Sequence, residues 1–199
     1  MARIGAILRN TATTAARMEP KCEQKWSASA PLMQPSPSPR GTPIQADWKR
    51  LPQNLLSLLK SRTDIHIAWP WLFWGKAGSG KTCAAAAIYQ RWRGHCEFWD
   101  SQKAMADFFR LEYNIRHSLQ DAALIVLDDV ASRAPTGPQL DGLRMILEYR
   151  RGKPLIITSN LGPDSLETVL DDRCASRICG GWCHEFKDGN KRLQGAIFT

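Results

Sequence analysis

The chain has little that would hold it in a membrane. No apolar stretch approaches the roughly 18 residues that a membrane-crossing helix requires, so no membrane contact is expected. The short apolar run from Ile4 to Leu8 is too brief for the core of a secretory signal. Acid is scarce at the start: Arg3, Arg9 and Arg17 precede the first carboxylate, Glu19. That composition is shared by transit peptides and by flexible basic arms. Cysteine is present but not organised, with single residues at 22, 83, 96, 174, 179 and 183. The tightest group, Cys179 to His184 with Cys174 upstream, has no second, well-separated pair of the kind structural zinc sites use. The cysteines therefore read as free thiols, and the expected location is cytoplasmic. No internal repeat is visible.

What is present suffices for one domain and a tail. Of the 199 residues, 43% are hydrophobic, and most of these lie after position 44. The formal charge is +8, half of it in residues 1–44, where six Lys/Arg face two Glu. The remainder is mildly basic, 21 cations against 17 acids, so charge permits a polyanionic partner without requiring one. Pro31, Pro35, Pro37, Pro39 and Pro43 alternate with small polar residues, a composition that disfavours helix and strand alike. Residues 1–44 are accordingly expected to be a disordered basic arm, and 45–199 the folded domain.

Within that domain, helical and strand periodicities alternate. Leu51, Leu55, Leu56, Leu58 and Leu59 lie at helical spacing. Strands are expected at 67–74, 96–99, 122–127 and 154–159, with helices from about 80 to 92, 102 to 113, 139 to 150 and 164 to 170. The run Ala122-Ala123-Leu124-Ile125-Val126-Leu127 is continuously apolar, as suits a strand covered on both faces. The pattern predicts an α/β fold, a parallel sheet sandwiched between helices. Trp69, Trp71 and Phe73 would share one face of the first strand, so core packing outweighs base stacking for these tryptophans. Pro70 delays the ladder until after it.

The most informative segment is Gly75-Lys76-Ala77-Gly78-Ser79-Gly80-Lys81-Thr82. It matches G-x-x-x-x-G-K-[ST] and sits between an apolar run and an alanine-rich helical one, the context of a phosphate-binding loop. Glycines let successive N–H groups converge on one anion, and the helix that follows adds its positive dipole end. Lys81 would reach the β- and γ-phosphates of a nucleoside triphosphate, and the Thr82 hydroxyl would hold Mg2+.

Asp128-Asp129 closes an apolar strand 46 residues after Thr82. A carboxylate there can hold Mg2+ opposite the phosphate loop, a role that falls to Asp128, while Asp129 could orient or polarise the attacking water. The next strand ends at Asn160. Ligands of open α/β sheets bind beyond the carboxyl ends of strands, so Asn160 is a candidate contact to the γ-phosphate or the water. Further on, Arg173 and Arg177 lie four apart on one helical face. A guanidinium can stabilise transition-state charge, although such spacing more commonly marks surface ion pairs.

The ordered set GKAGSGKT, ALIVLDDV, YRRGKPLIITSNL and DDRCASRI resembles the AAA+ ATPase core, and within it the DnaC/DnaI-type helicase loaders. The transposition helpers of the IstB type share the layout. The resemblance spans roughly residues 64–192. It implies a P-loop NTPase using ATP and Mg2+, with Asn160 as first sensor and Arg177 as a finger reaching a neighbour's nucleotide. It further implies slow ATP hydrolysis, self-association through a shared ATP site, and single-stranded DNA and a replicative helicase as partners. The alternatives are a transposase partner, a small P-loop kinase, or a nucleotide-gated module with little turnover. Asp129 departs from the Glu of many AAA+ proteins. With 22 residues after Arg177, no C-terminal helical lid domain is expected. The segment 186–192 is similar to the family's last core strand and its basic trailer. Candidate DNA contacts are Arg110, Arg116, Lys187, Lys191 and Arg192.

Overall fold

The computed structural model describes residues 51–60, 69–109 and 112–187. Helix α1 (Gln53–Lys60) precedes β1 (Trp71–Trp74), α2 (Lys81–Tyr89), β2 (Cys96–Asp100), α3 (Ser101–Asp107) and α4 (Glu112–Asp121). Then follow β3 (Leu124–Val130), α5 (Gly137–Tyr149), β4 (Leu155–Ser159), α6 (Pro163–Val169), α7 (Asp172–Cys179) and β5 (Trp182–Glu185). The strands form one sheet in the order β2-β3-β4-β1-β5, with every pair parallel. Parallel neighbours need crossovers, and the crossover helices cover both faces. The expected arm, residues 1–44, lies outside the described residues.

Side-chain alternation sorts the core into two layers. Trp71, Phe73, Leu124, Val126 and Ile156 pack with the leucines of α1 and the alanines of α2. Leu72, Ile125, Leu127, Leu155 and Ile157 pack on the other face with residues of α3, α5, α6 and α7. Ala84 to Ala87 of α2 are all buried. Their small side chains bring the helix close to the sheet, which sets its first turn beside the strand tips.

The tryptophans are core residues, as their spacing predicts. Trp71 is fully buried, and Trp69 stacks on it at 4.5 Å with a 16° interplanar angle. The ladder starts at Trp71, directly after Pro70. Its neighbour β5 carries Trp182 and His184, stacked at 5.3 Å. Burial lowers the His184 pKa, which favours the neutral ring in this aromatic layer. The close approach of β5 to β1 depends on Gly181, where an added Cβ would sit 1.8 Å from the Pro70 carbonyl oxygen.

The structure corrects several boundaries. Helix α2 ends at Tyr89, and the chain to Trp92 tightens into turns, with Arg91 N donating to Ile88 O at 3.0 Å and Trp92 N to Tyr89 O at 3.3 Å. The single helix expected from 102 to 113 is two, α3 and α4. The segment Glu112–Asp121 is mostly polar, so its sequence gives only a weak signal for α4. Among the described residues the last strand is Trp182–Glu185, ahead of the segment expected from Phe186, and Trp182 and His184 complete the aromatic layer. Residues 188–192 of that segment lie outside the described residues. Arg110, Lys191 and Arg192 lie outside the described residues, and the exposed Lys187 pairs with Glu185 at 3.6 Å. Arg116 sits 6.0 Å from the Tyr149 ring centre.

One buried cation has a structural role that sequence reading missed. Arg150, only 2% exposed, donates to Leu119 O at 3.1 Å, to Ala122 O at 2.8 Å and to Pro154 O. It thereby fastens the end of α4 and the start of β4 to one point, satisfying carbonyls that burial would leave orphaned. Burial lowers its pKa to about 10. Burial likewise raises the thiols of Cys96 and Cys174 to about 12, which keeps them protonated and inert. Cys83, Cys96, Cys174, Cys179 and Cys183 are all free.

Gly181→Ala is expected to lower the unfolding free energy by about 1–3 kcal/mol, the range for overpacking a tight contact. A urea titration followed by tryptophan fluorescence measures it, and an unchanged midpoint would contradict the close β1–β5 approach.

Candidate functional site

The period of two that builds the sheet also selects its functional face. Val126 and Ile156 face α2, so Asp128, Thr158 and Asn160, two and four residues further along β3 and β4, face it too. β4 lies between β3 and β1 in the sheet. Its tip therefore separates the Asp pair of β3 from the loop that leaves β1, and Asn160 becomes a bridge.

The loop itself bends as its glycines predict. Gly75, Gly78 and Gly80 take φ values of 142°, 79° and 104°, positions where a side chain would be strained. Gly75 is constrained a second way, since a Cβ there would meet Phe186 O at 2.5 Å. Lys81, the first residue of α2, is 7% exposed. Its ammonium donates to Gly75 O at 2.8 Å, Lys76 O at 2.9 Å and Asn160 Oδ1 at 3.0 Å. Asn160 Nδ2 donates in turn to Asp129 Oδ1 at 3.2 Å. The amide is thus oriented at both ends, oxygen toward a cation and nitrogen toward a carboxylate. Ser79 is fully buried, and no partner is found for its hydroxyl among the described residues. Lys76 and Ala77 are exposed, and Gly78 and Gly80 are half-buried.

A second chain of contacts runs beside the first. Thr82 Oγ1 donates to Asp128 Oδ1 at 2.9 Å, and Thr158 Oγ1 donates to the same oxygen at 2.6 Å. Asp128 is 8% exposed, so both hydroxyls hold a largely buried carboxylate. Thr82 and Asp128 together present hard oxygen donors, the chemistry that suits Mg2+.

Asp129 has an unusual backbone. Its φ is 64° and that of Ala131 is 58°, and the β3–β4 register shifts between Leu127 and Val130. Such non-glycine conformations cost of order 1–3 kcal/mol each and persist only where surroundings enforce them. Three hydroxyls do so. Thr158 Oγ1 accepts from Asp129 N at 2.9 Å, Ser101 Oγ donates to Asp129 O at 2.9 Å, and Ser159 Oγ donates to Val130 O at 2.8 Å. Thr158 and Ser101 were not among the residues singled out from the sequence. The signal for Thr158 was there, the first polar residue after the apolar run Leu155 to Ile157, two before Asn160. For Ser101 the sequence held none.

The sequence-predicted residues Gly75, Lys76, Ala77, Gly78, Ser79, Gly80, Lys81, Thr82, Asp128, Asp129 and Asn160 thus meet at one end of the sheet. Arg173 and Arg177 do not join them. Helix α7 leads through Gly180 and Gly181 into the start of β5, so Arg177 lies near the end where strands begin. There it pairs with Glu148 at 2.5 Å.

No protein-family model matches the chain, and no curated protein matches it. Solved structures do. The DnaC helicase loader superposes with a TM-score of 0.51 at 21% identity, covering 60% of this chain and 77% of that one. DnaI gives 0.53 at 21% identity, covering 61% and 72%. The chain shares their fold, a five-stranded parallel sheet flanked by helices. The replication initiator DnaA bound to AMPPCP and single-stranded DNA gives 0.55 at 24% identity, covering 63% of this chain. The chain spans only 42% of the length of that DnaA structure.

Thr158→Val keeps the shape of the residue but removes the hydroxyl shared by Asp128 and Asp129. A stability loss of about 1–3 kcal/mol is expected from the buried groups left unpaired, read by thermal or urea unfolding. Wild-type stability in the variant would reject the hydroxyl as the clamp of this turn.

Proposed function

We propose that the chain is an ATP-dependent DNA-replication accessory protein, a AAA+ ATPase of the helicase-loader type. The observation that carries this reading is the continuous chain Lys81–Asn160–Asp129, flanked by Thr82–Asp128. It joins a phosphate-binding loop to the tips of two neighbouring strands. The similarity of the fold to structures of DnaC, DnaI and DnaA supports the replication setting.

In this reading the triphosphate of ATP lies along residues 75–82, where backbone N–H groups converge and the start of α2 adds its dipole. Lys81, already aimed into the loop, exchanges carbonyl partners for phosphate oxygens. Thr82 and Asp128 would hold Mg2+, which neutralises charge on the phosphates when bound. Asp129, exposed enough to meet water and oriented by Asn160, polarises the attacking molecule. Asn160 touches both the cation and the carboxylate, so it reports the state of one to the other. Arg177 acts on the nucleotide of a neighbouring copy, with ATP between subunits. Hydrolysis then alters subunit contacts and releases a partner, a replicative helicase handed onto single-stranded DNA. Residues 45–199 form the ATPase core, 1–44 an arm, and the site of action is the cytoplasm.

Lys81→Ala is expected to abolish binding of a fluorescent ATP analogue, and normal binding would refute the nucleotide site. Asp129→Asn should bind the nucleotide normally while turnover falls about a hundredfold or more, the usual scale for removing a base. Undiminished phosphate release by that variant would remove Asp129 from the chemistry. Affinity capture with the full chain, ATP and single-stranded DNA should retain a replicative helicase. Retention of a transposase instead would replace the replication role.

A further inference from the structure

Two ion pairs of opposite polarity stitch α7 to α5. At the start of α7, Asp171 accepts from Arg144 of α5 at 2.6 Å, and Arg144 also reaches Asp141 on its own helix. At the end of α7, Arg177 meets Glu148 of α5 at 2.5 Å. Arg144 and Glu148 are four apart, on one face of α5.

The two pairs differ in what else holds them. Asp171 caps α7 by accepting from Cys174 N at 2.7 Å, and its side chain is 23% exposed. Burial pushes its carboxyl up, but the Cys174 N–H and the Arg144 guanidinium outweigh this and hold it below the usual range. That pair is a fixed anchor. Arg177 and Glu148 are 42% and 50% exposed, and no second hydrogen bond holds either side chain among the described residues. An exposed pair of this kind is weak and exchanges readily. Arg173, one turn earlier, is exposed with no ion pair among the described residues.

We infer that Glu148 is an intramolecular latch on Arg177: it occupies the guanidinium in the isolated chain and competes with the neighbour's triphosphate for it during assembly. The inference rests on the reading of Arg177 as the residue that reaches a neighbouring nucleotide. A carboxylate and a γ-phosphate present the same chemistry to a guanidinium, so one excludes the other. The Arg144–Asp171 anchor keeps α7 in register while the latch opens, so exchange needs only a side-chain rotation.

The test is self-association of the full chain with AMPPCP and Mg2+, followed by sedimentation velocity over a protein dilution series. Glu148→Gln keeps the size of the residue and removes the charge. It should move the association midpoint to lower protein concentration by up to about fivefold, the scale of an exposed pair. Affinity of the dilute variant for AMPPCP should stay unchanged. In an Arg177→Ala background the Glu148→Gln effect should vanish. An unmoved midpoint, or one moved to higher concentration, overturns the latch. If Arg177→Ala associates and hydrolyses ATP as the parent does, the finger reading itself falls, and that outcome is distinct from a latch that fails alone.

Discussion

An ammonium group removed from water must find a partner for each of its hydrogens, and the site follows from how Lys81 meets that demand. Its three donors have three acceptors, Gly75 O, Lys76 O and Asn160 Oδ1. Burying a cation without such partners would cost several kcal/mol. The loop can supply two carbonyls only because glycines permit its bend, and the third acceptor must come from β4. The fold therefore has to bring the tip of β4 beside the loop. A sheet order with β4 next to β1 does this, and β3 follows on the far side. Loop, Asn160 and Asp129 are coupled through this one buried charge.

The same economy explains the strain at Asp129. A regular β3 would keep alternating past Asp128, sending residue 129 to the opposite face, away from Asn160. The register shift and the positive φ break that alternation and return the Asp129 carboxylate to the amide at 3.2 Å. Hydroxyls from β4 and from the start of α3 hold the turn, so its geometry depends on three elements. Movement of α3 would be felt at the carboxylate through Ser101.

Much of this was legible because the decisive features are local. The loop motif, the apolar run ending in two aspartates and the polar tip after Ile157 each lie within a few residues, and periodicity assigns their faces. Pro70 marked where the ladder begins. What was not legible depends on contacts across the sequence. Thr158 reads as an ordinary β-branched strand residue until Asp128 is placed beside it. Arg150 reads as a surface charge at a helix end, yet it is buried against carbonyls from residues 119, 122 and 154. The strand at Trp182–Glu185 holds Cys183 just after Cys179, a spacing that reads as metal chemistry, while its tryptophan and histidine carry the packing. Helix α4 is mostly polar, which leaves little in its sequence to mark it.

The placement of Arg177 bears on why a chain of this kind would act in company. Helices α5 and α7 both run back against the strands, so their last turns lie where the strands begin. The loop, the aspartates and Asn160 lie where the strands finish. The separation is at least the length of a five-residue strand, about 17 Å, which is too far for Arg177 to serve its own site. A guanidinium placed there serves a nucleotide only if that nucleotide belongs to another copy. The position of Arg177 thus ties any catalytic use of it to assembly, and Glu148 is the residue that pairs with it in the single chain.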